Sequence, residues 1–235
     1  MNNRDGEKSA LCTEKKGTFA DFFWNIWLTF HFGGYMLSLA KQRRQWSKHL
    51  KGRFLMEALE CIKSRRSVRK YSDQPVTREV LDKIFEAVIY APSWKNTQSV
   101  RYTVVEDPEL KAKIAEEAVL GFALNQKTIS RCPVLLIQST INERSGRSPD
   151  GTVDTSKGDT WTMYDAGISA QTLCLAAEEY GLGTVIMGVF DEDKLAPLVN
   201  LPENQTVTGM IAIGYPAGEN KMPPRKPAAE IVTYL

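Results

Sequence analysis

Helices and strands alternate along most of this sequence, which predicts an α/β or α+β domain built around a sheet. An apolar fraction of 43% with 25% charged residues is typical of a folded globular chain. Short apolar runs are interleaved with helical periodicity after residue 56, and no internal repeat is present. The length of 235 residues suits one domain, or one domain with an appendage.

The predicted elements begin with a helix in which Met56, Leu59 and Ile62 recur at helical spacing and which ends near Arg65. Thr77 is suited to cap the second helix, because Val80, Leu81, Ile84, Phe85 and Val88 follow it at helical spacing and Pro92 ends the run. A strand is predicted at residues 101–106, and Asp107-Pro108 begins the next helix.

The second half of the chain continues this alternation. A buried strand is predicted at residues 133–138, followed by a polar, mobile loop at 141–159 of the kind that often covers a site. A long helix runs from about Thr162 to Tyr180, and Gly181 suits the position after its end. The remaining predicted elements are a strand at 184–190, a short helix at 191–199 and a strand at 207–214.

Charge and cysteine usage exclude several classes of function. A formal net charge of only +2 offers no basic field for duplex nucleic acid, so no nucleic-acid partner is expected. The cysteines form no C-x-x-C pair, so we expect reduced thiols in the cytoplasm and neither a structural zinc site nor a disulfide framework. They stand apart at Cys12, Cys61, Cys132 and Cys174.

Histidine is confined to the N-terminal part of the chain. Both residues, His31 and His49, precede Met56, so residues 56–235 contain none. This part therefore lacks the imidazole that Ser-His-Asp and Cys-His catalysis, the H-E-x-x-H zincins and most zinc hydrolase sites require. We expect neither a metal site nor imidazole-based catalysis there.

The composition changes near Met56, which predicts an N-terminal extension at residues 1–55 and a domain at residues 56–235. The extension holds ten Lys and Arg against four Asp and Glu, a net charge of +6, whereas the domain has a net charge of −4. An aromatic-rich hydrophobic segment spans residues 19–40, and a basic run follows at residues 41–53.

The hydrophobic segment is long enough to cross a bilayer as a helix, and the basic run would then stay on the cytoplasmic side. Asp21, Asn25 and His31 argue against a span, because polar groups are costly within the bilayer. Three interpretations stay open: a membrane anchor or interfacial helix, an extension without its own fold, and a helix that binds a partner. We expect a cytoplasmic protein, with membrane association through residues 19–53 as the alternative.

A cluster of arginines follows the first predicted helix, in the run Arg65-Arg66-Ser67-Val68-Arg69. In an extended chain Arg65, Ser67 and Arg69 project to one side. Guanidinium groups bind phosphate oxygens bidentately, so the cluster suits a terminal phosphate. On these residues alone, an exposed cluster that complements the helix dipole is the simpler interpretation.

A second group of polar residues lies between the second helix and the first strand, in the run APSWKNTQ at residues 91–98. Ser93, Asn96 and Gln98 offer donors and acceptors that suit the imide edge of a heterocycle. A turn whose Ser and Asn side chains bond their own backbone is the alternative.

Two later segments contain glycine and basic residues. The glycines of GLGTVIMG at residues 181–188 follow a helix and precede a strand, which is the reverse of the Rossmann order and excludes that site. Gly188 within the predicted strand indicates either the close approach of a flat ligand or a bulge. In the tail, prolines hold Lys221 and Arg225 on an extended chain, for which a solvated tail is the simpler interpretation.

Together and in this order, these motifs resemble those of the nitroreductase family of flavin enzymes. That family has R-R-S-x-R, A-P-S-x-x-N-x-Q, D-A-G-x-x-A-Q opening a long helix, a strand ending in Gly beside the flavin, and G-Y-P followed by P-R-K-P. The matching positions are 65–69, 91–98, 165–171, 184–188, 214–216 and 224–227. The resemblance covers about residues 56–235.

The resemblance implies an α+β, nitroreductase-like fold, with a central mixed or antiparallel sheet flanked by helices. It implies a homodimer with FMN at the interface. NADH or NADPH would reduce the flavin and leave, and a small electron-poor acceptor, a nitroaromatic or a quinone, would take its place in a ping-pong reaction. Because this chemistry belongs to the cofactor, no catalytic side chain is expected.

The resemblance also implies a set of FMN-binding residues. The phosphate and the adjacent side of the flavin would be held by Arg65, Arg66, Ser67, Arg69, Lys221 and Arg225. The ring would be bordered by Pro92, Ser93, Asn96 and Gln98, with Pro92 and Ser93 from the other subunit. Met187 and Gly188 would lie along the isoalloxazine, with a backbone amide near N5.

Some features leave alternatives. Many relatives have Pro-Trp after the glutamine, where this chain has Ser99-Val100, which affects the strand entry and the pocket shape. Iodotyrosine deiodinases share the fold and an N-terminal hydrophobic segment, but their second motif differs from residues 93–98. A flavin dehydrogenase or oxidase acting on another small substrate and a non-catalytic FMN-binding module stay open. The loop at 141–159 favours an accessible, catalytic pocket.

Overall fold

The central element is a four-stranded sheet with the strand order β1-β2-β4-β3. The computed structural model describes residues 58–235, and the strands within them are β1 (Val100–Val105), β2 (Val134–Ile141), β3 (Gly183–Met187) and β4 (Gln205–Gly214). All three neighbouring pairs are antiparallel. A single parallel bridge joins Ser67 to Thr184 at the outer edge of β3. The expected central sheet, mixed or antiparallel, is therefore confirmed, and its strand pairs are antiparallel.

Helices cover both faces of the sheet, so hydrophobic side chains are buried in two layers. On one face, Leu81, Ile84 and Leu173 pack with Leu136 and Ile211 of the sheet. On the other face, the helical residues Ile114, Ile129 and Leu195 pack with the sheet residues Leu135, Ile137 and Met210. The helices are α1 (Ala58–Ser64), α2 (Arg78–Val88), α3 (Pro108–Glu117), α4 (Ala123–Ile129), α5 (Thr160–Glu179) and α6 (Glu192–Leu198).

The helix boundaries follow local capping signals. Thr77 accepts a hydrogen bond from the Val80 amide at the start of α2. Asp107 accepts from the amides of Glu109 and Leu110, and Pro108 occupies the first turn of α3. Gly181 has a φ of 74° just after α5, as a glycine at that position commonly does. These starts and this stop agree with the sequence predictions.

Three features differ from the sequence predictions. Strand β2 continues to Ile141, because the Ser139 hydroxyl bonds Gln205 and so permits a polar residue in a buried strand. Strand β3 ends at Met187 and not at 190, because the Val189 carbonyl accepts from the Asn125 side chain and so leaves the sheet. Helix α4 was not predicted at all, and no side chain caps its start.

The segment after α1 runs beside the outer edge of β3. The Val68 amide donates to the Thr184 carbonyl at 2.9 Å, and Val68 is buried. Gly183 faces the Val68 side chain so closely that an added Cβ would lie 2.6 Å from the Val68 Cβ. Glycine is thus required for this approach, and the approach fixes the position of the arginine cluster.

Among residues 58–235, no helix is long and apolar enough to cross a membrane. The hydrophobic segment at 19–40, the basic run at 41–53, and the residues Cys12, His31 and His49 lie outside the described residues. The division into an extension at 1–55 and a domain at 56–235 therefore stays a prediction.

Candidate functional site

A basic cleft of about 530 Å³ lies where the segment after α1 meets the C-terminal tail. We use the name basic cleft for the space lined by Arg65, Arg66, Ser67, Arg69, Asn220, Lys221, Pro223 and Arg225. It brings together all six residues predicted to hold a phosphate, although they come from segments that are about 150 positions apart in the sequence.

Backbone contacts hold the two walls of the basic cleft together. The Ser72 amide donates to the Tyr215 carbonyl at 2.8 Å, and the Ala217 amide donates to the Lys70 carbonyl at 3.1 Å. The Tyr71 hydroxyl donates to the Val68 carbonyl at 2.6 Å. The tail is thus attached beside the arginine segment, and the following residues reach the cleft from this attachment.

The donor set of the basic cleft suits a phosphate group. Four arginines and a lysine line it with one hydroxyl and one amide, and no acidic side chain is among its lining residues. The Arg66 Nη1 is bonded to the Lys63 carbonyl at 2.6 Å, and the Arg69 Nη1 to the Ser67 carbonyl at 3.3 Å. Each guanidinium has five N–H donors, so both retain donors for an anion.

A second cavity, of about 640 Å³, lies between α2, β1 and α5. Four predicted ring-bordering residues line it, namely Pro92, Ser93, Asn96 and Gln98. The second cavity and the basic cleft share no lining residue. Within one chain the described residues therefore form two separate cavities, each lined by one of the two predicted groups.

Residues 92–98, which we call the 92–98 loop, adopt an unusual backbone conformation. Lys95, Asn96 and Gln98 have φ values of 44°, 57° and 47°. Polar groups within the loop form hydrogen bonds with one another. The Ser93 Oγ accepts from the Gln98 backbone amide at 2.9 Å, and the Gln98 Nε2 donates to the Asn96 Oδ1 at 3.1 Å. The loop therefore bonds its own polar groups, as the alternative interpretation expected, and its residues also line the second cavity.

The loop expected at 141–159 begins after Ile141 and contacts the 92–98 loop. The Trp94 Nε1 donates to the Arg147 carbonyl at 3.2 Å. Lys95 forms an ion pair with Asp154, with 2.6 Å between Nζ and Oδ2. The hydrogen bond from Lys95 lowers the pKa of Asp154, and a hydrogen bond from Ser148 lowers it further. Because of these contacts, the segment we call the 142–159 loop packs against the 92–98 loop.

Met187 and Gly188 line neither cavity. Met187 is buried in the hydrophobic core on one face of the sheet. Gly188 follows the end of β3, and a Cβ there would have no neighbour within 4 Å. The prediction that Gly188 lies inside a strand was wrong, because the chain leaves the sheet after Met187.

Several lining residues of the two cavities were not predicted from the sequence, and three of them bear on the site. Asn220 and Pro223 line the basic cleft next to the predicted Lys221, and their position in a Pro-rich tail was the only available signal. Asp165 lines the second cavity and opens the third motif, but the motif gave no role for it. Among residues 58–235, no group of three or more His, Cys, Asp or Glu could hold a metal ion.

Comparisons with known proteins identify the family of this chain. The model of the nitroreductase family matches residues 62–215. The chain is 34% identical over 191 residues to the FMN reductase (NAD(P)H) of Bacillus subtilis strain 168, covering 76% of this chain and 75% of that protein. It is 30% identical over 200 residues to the iodotyrosine deiodinase of Nematostella vectensis, covering 75% and 74%.

A solved structure shows the same fold. The crystal structure of a nitroreductase family protein from Clostridium novyi NT superposes with a TM-score of 0.60 at 28% identity. The match covers 68% of this chain and 86% of that chain.

Proposed function

The chain belongs to the nitroreductase family, and from that premise we propose that it reduces a nitroaromatic or a quinone by a ping-pong mechanism. Its class is an oxidoreductase that uses FMN, with NADH or NADPH as the electron donor. The observation that carries the proposal is the basic cleft, in which five cations and no carboxylate surround a space of about 530 Å³.

The basic cleft would hold the phosphate of FMN. Arg65 and Arg69 from the segment after α1 and Arg225 from the tail offer planar donors, which pair with two phosphate oxygens at once. Lys221 adds a point charge, and Ser67 and Asn220 add neutral donors. This donor set favours a phosphate dianion over a neutral ligand.

A homodimer would complete the site. The two predicted groups of FMN-binding residues line separate cavities in one chain, which supports a ring bordered by the 92–98 loop of the other subunit. Ile89 lines the second cavity and is 68% exposed, and its neighbour Tyr90 is 83% exposed. Large exposed apolar residues around a cavity are typical of a surface that a partner covers.

In this mechanism FMN, when bound, supplies the hydride transfer from NAD(P)H to the acceptor. The protein would bind FMN, orient it and shield it from water. The basic cleft anchors the phosphate, and Gly188, which has no side chain, leaves its backbone open to a flat ligand. The 92–98 loop, with the 142–159 loop packed against it, would limit the access of water beside the ring. No histidine is present in residues 56–235, and none is needed for this role.

Other functions of the same fold differ in their half-reactions. A dehydrogenase or oxidase would reduce its flavin with another substrate and not with NAD(P)H, and a binding module would not turn over. The similarity to an iodotyrosine deiodinase makes an iodinated phenol a third acceptor to compare.

Steady-state kinetics test the ping-pong mechanism. Parallel double-reciprocal plots with NAD(P)H and either a quinone or a nitroaromatic support the ping-pong proposal, whereas intersecting plots contradict it. A cytoplasmic location belongs to the same proposal.

The phosphate assignment is tested by the double variant Arg65→Ala/Arg69→Ala. Because it removes two bidentate donors, we expect folded protein whose FMN affinity is lower by about 100-fold or more. The matched control Lys113→Ala/Arg131→Ala removes two exposed cations outside the basic cleft and outside both loops, and it should keep its FMN. Binding is measured by quenching of flavin fluorescence. Normal FMN affinity in the Arg65/Arg69 variant would contradict the assignment.

A further inference from the structure

A buried carboxylate, Asp165, lies on α5 directly under the 92–98 loop. The side chain is 2% exposed, and both of its oxygens accept from the Trp94 amide, at 3.1 and 3.0 Å. No lysine or arginine of residues 58–235 forms an ion pair with it. A buried carboxylate without a cation is costly unless hydrogen bonds satisfy it. The hydrogen-bond donors around Asp165 therefore indicate what this side chain does.

The conformation of the 92–98 loop needs such support. Three of its seven residues, Lys95, Asn96 and Gln98, lie in the left-handed region that residues with a side chain avoid. A strained backbone persists only where its surroundings hold it in place. Asp165 holds the amide of Trp94, which immediately precedes the left-handed residues.

The same carboxylate also reaches the 142–159 loop. The Ser145 Oγ donates to the Asp165 Oδ2 at 2.6 Å, and it is 3.1 Å from the Ser99 Oγ at the entry to β1. Ser145 and Ser99 are both buried. A continuous hydrogen-bonded path therefore joins Trp94, Asp165, Ser145 and Ser99, and it gives a packing role to the serine that stands where many relatives have proline.

We propose that Asp165 is a positioning residue, which sets the conformation of the 92–98 loop against the flavin ring and couples it to the 142–159 loop. The part of this proposal that concerns the ring rests on the proposed function. Asp165 does not line the basic cleft, so the loss of its carboxylate alters the ring side and leaves the phosphate anchor in place.

The test compares Asp165→Ala with Asp165→Asn and the wild type, each measured with and without added FMN. Exposed Lys95 lies in the loop, so trypsin cleavage after it, followed by mass spectrometry, reports the loop conformation. We expect cleavage in Asp165→Ala to be faster by about tenfold, because hydrogen bonds to a charged acceptor are lost. In Asp165→Asn, Oδ1 still accepts from Trp94 while Nδ2 donates to Ser145, so cleavage should stay close to the wild-type rate.

Turnover provides the second readout. We expect kcat of Asp165→Ala to fall by about tenfold while the FMN dissociation constant changes by less than about threefold, and Asp165→Asn to recover most of kcat. Leu173→Ala, at a fully buried position of the same helix, controls for general destabilisation. If Asp165→Ala does not fold, Ser145→Ala replaces it and should raise Lys95 cleavage by a smaller factor.

The proposal is overturned if Lys95 is cleaved in Asp165→Ala, or in its Ser145→Ala replacement, at the wild-type rate. It is equally overturned if Leu173→Ala accelerates cleavage as much as Asp165→Ala. Failure of the proposed function has a different signature, namely a wild-type protein that takes up no FMN or whose FMN is not reduced by NAD(P)H. The cleavage result is independent of that outcome, because it reports on the loop alone.

Discussion

Cys132 illustrates how burial controls the chemistry of single residues in this domain. It is 2% exposed, its Sγ donates to the Ile129 carbonyl, and burial raises its pKa to about 11. Burial likewise raises the pKa values of Cys61 and Cys174. These thiols stay protonated near neutral pH and are poor nucleophiles, so they are structural side chains.

The raised pKa of Cys132 predicts a loss of stability in alkali. Between about pH 9 and 11 the folded state keeps a proton that the unfolded state releases, so the free energy of unfolding falls as pH rises, by up to about 3 kcal/mol. Urea denaturation of the wild type and Cys132→Ala across this range measures the effect. The variant should show the shallower fall in the free energy of unfolding, because it lacks the Cys132 thiol. Some fall should remain in both proteins, because both keep Tyr71 and Tyr102, whose pKa values are also raised by burial. Equal slopes would contradict this assignment.

At the scale of elements, the contact between β3 and the arginine segment determines where the basic cleft lies. It depends on a glycine at 183, since any Cβ there would overlap the Val68 side chain. The Val68 amide and the Thr184 carbonyl are then close enough to bond at 2.9 Å. Two neighbours in the arginine segment, Ser67 and Arg69, are thereby directed into the cleft.

Gly183→Ala should therefore damage binding and stability together. Overpacking against Val68 is expected to lower the free energy of unfolding by about 1–3 kcal/mol. Displacement of the arginine segment should weaken FMN binding by about tenfold or more. Chemical denaturation and flavin titration measure the two effects. An alanine variant with unchanged stability and unchanged FMN affinity would show that the close approach does not position the cleft.

Elements with local signals could be predicted from the sequence, and elements with distant causes could not. The caps at Thr77 and Asp107 depend on neighbours within three residues, so the sequence alone predicts α2 and α3. The end of β3 depends on a bond from Asn125 to Val189, 64 positions away, and no periodicity reports such a contact. Helix α4 has seven residues and no side-chain cap, so it leaves little pattern.

The candidate site divides in the same way. The arginine cluster and the 92–98 loop are each local runs, so their residues could be selected from sequence motifs. That Lys221 and Arg225 share a cleft with Arg65 could be expected only from the family resemblance, because it depends on backbone bonds between residues 70–72 and 215–217 that no local pattern reports. The role of Asp165 depends on Trp94, 71 positions earlier, and is visible only in the folded chain.

At the scale of the whole molecule, the basic cleft and the second cavity would be the two half-sites of the proposed homodimer. Each is built by a different part of the domain, and they share no lining residue. A homodimer would bring the phosphate anchor of one chain to the ring-bordering loop of the other. In the proposed homodimer, assembly would be a condition for activity, and the partner would cover the large exposed apolar residues beside the second cavity.

The absorbance spectrum of the purified protein shows directly whether this chain works as an NAD(P)H-dependent FMN oxidoreductase. We expect a yellow protein that bleaches on anaerobic addition of NADPH or NADH. Its colour should then return when a quinone or a nitroaromatic is added. A colourless protein that cannot take up added FMN, or a yellow one that neither nucleotide bleaches, would contradict this assignment.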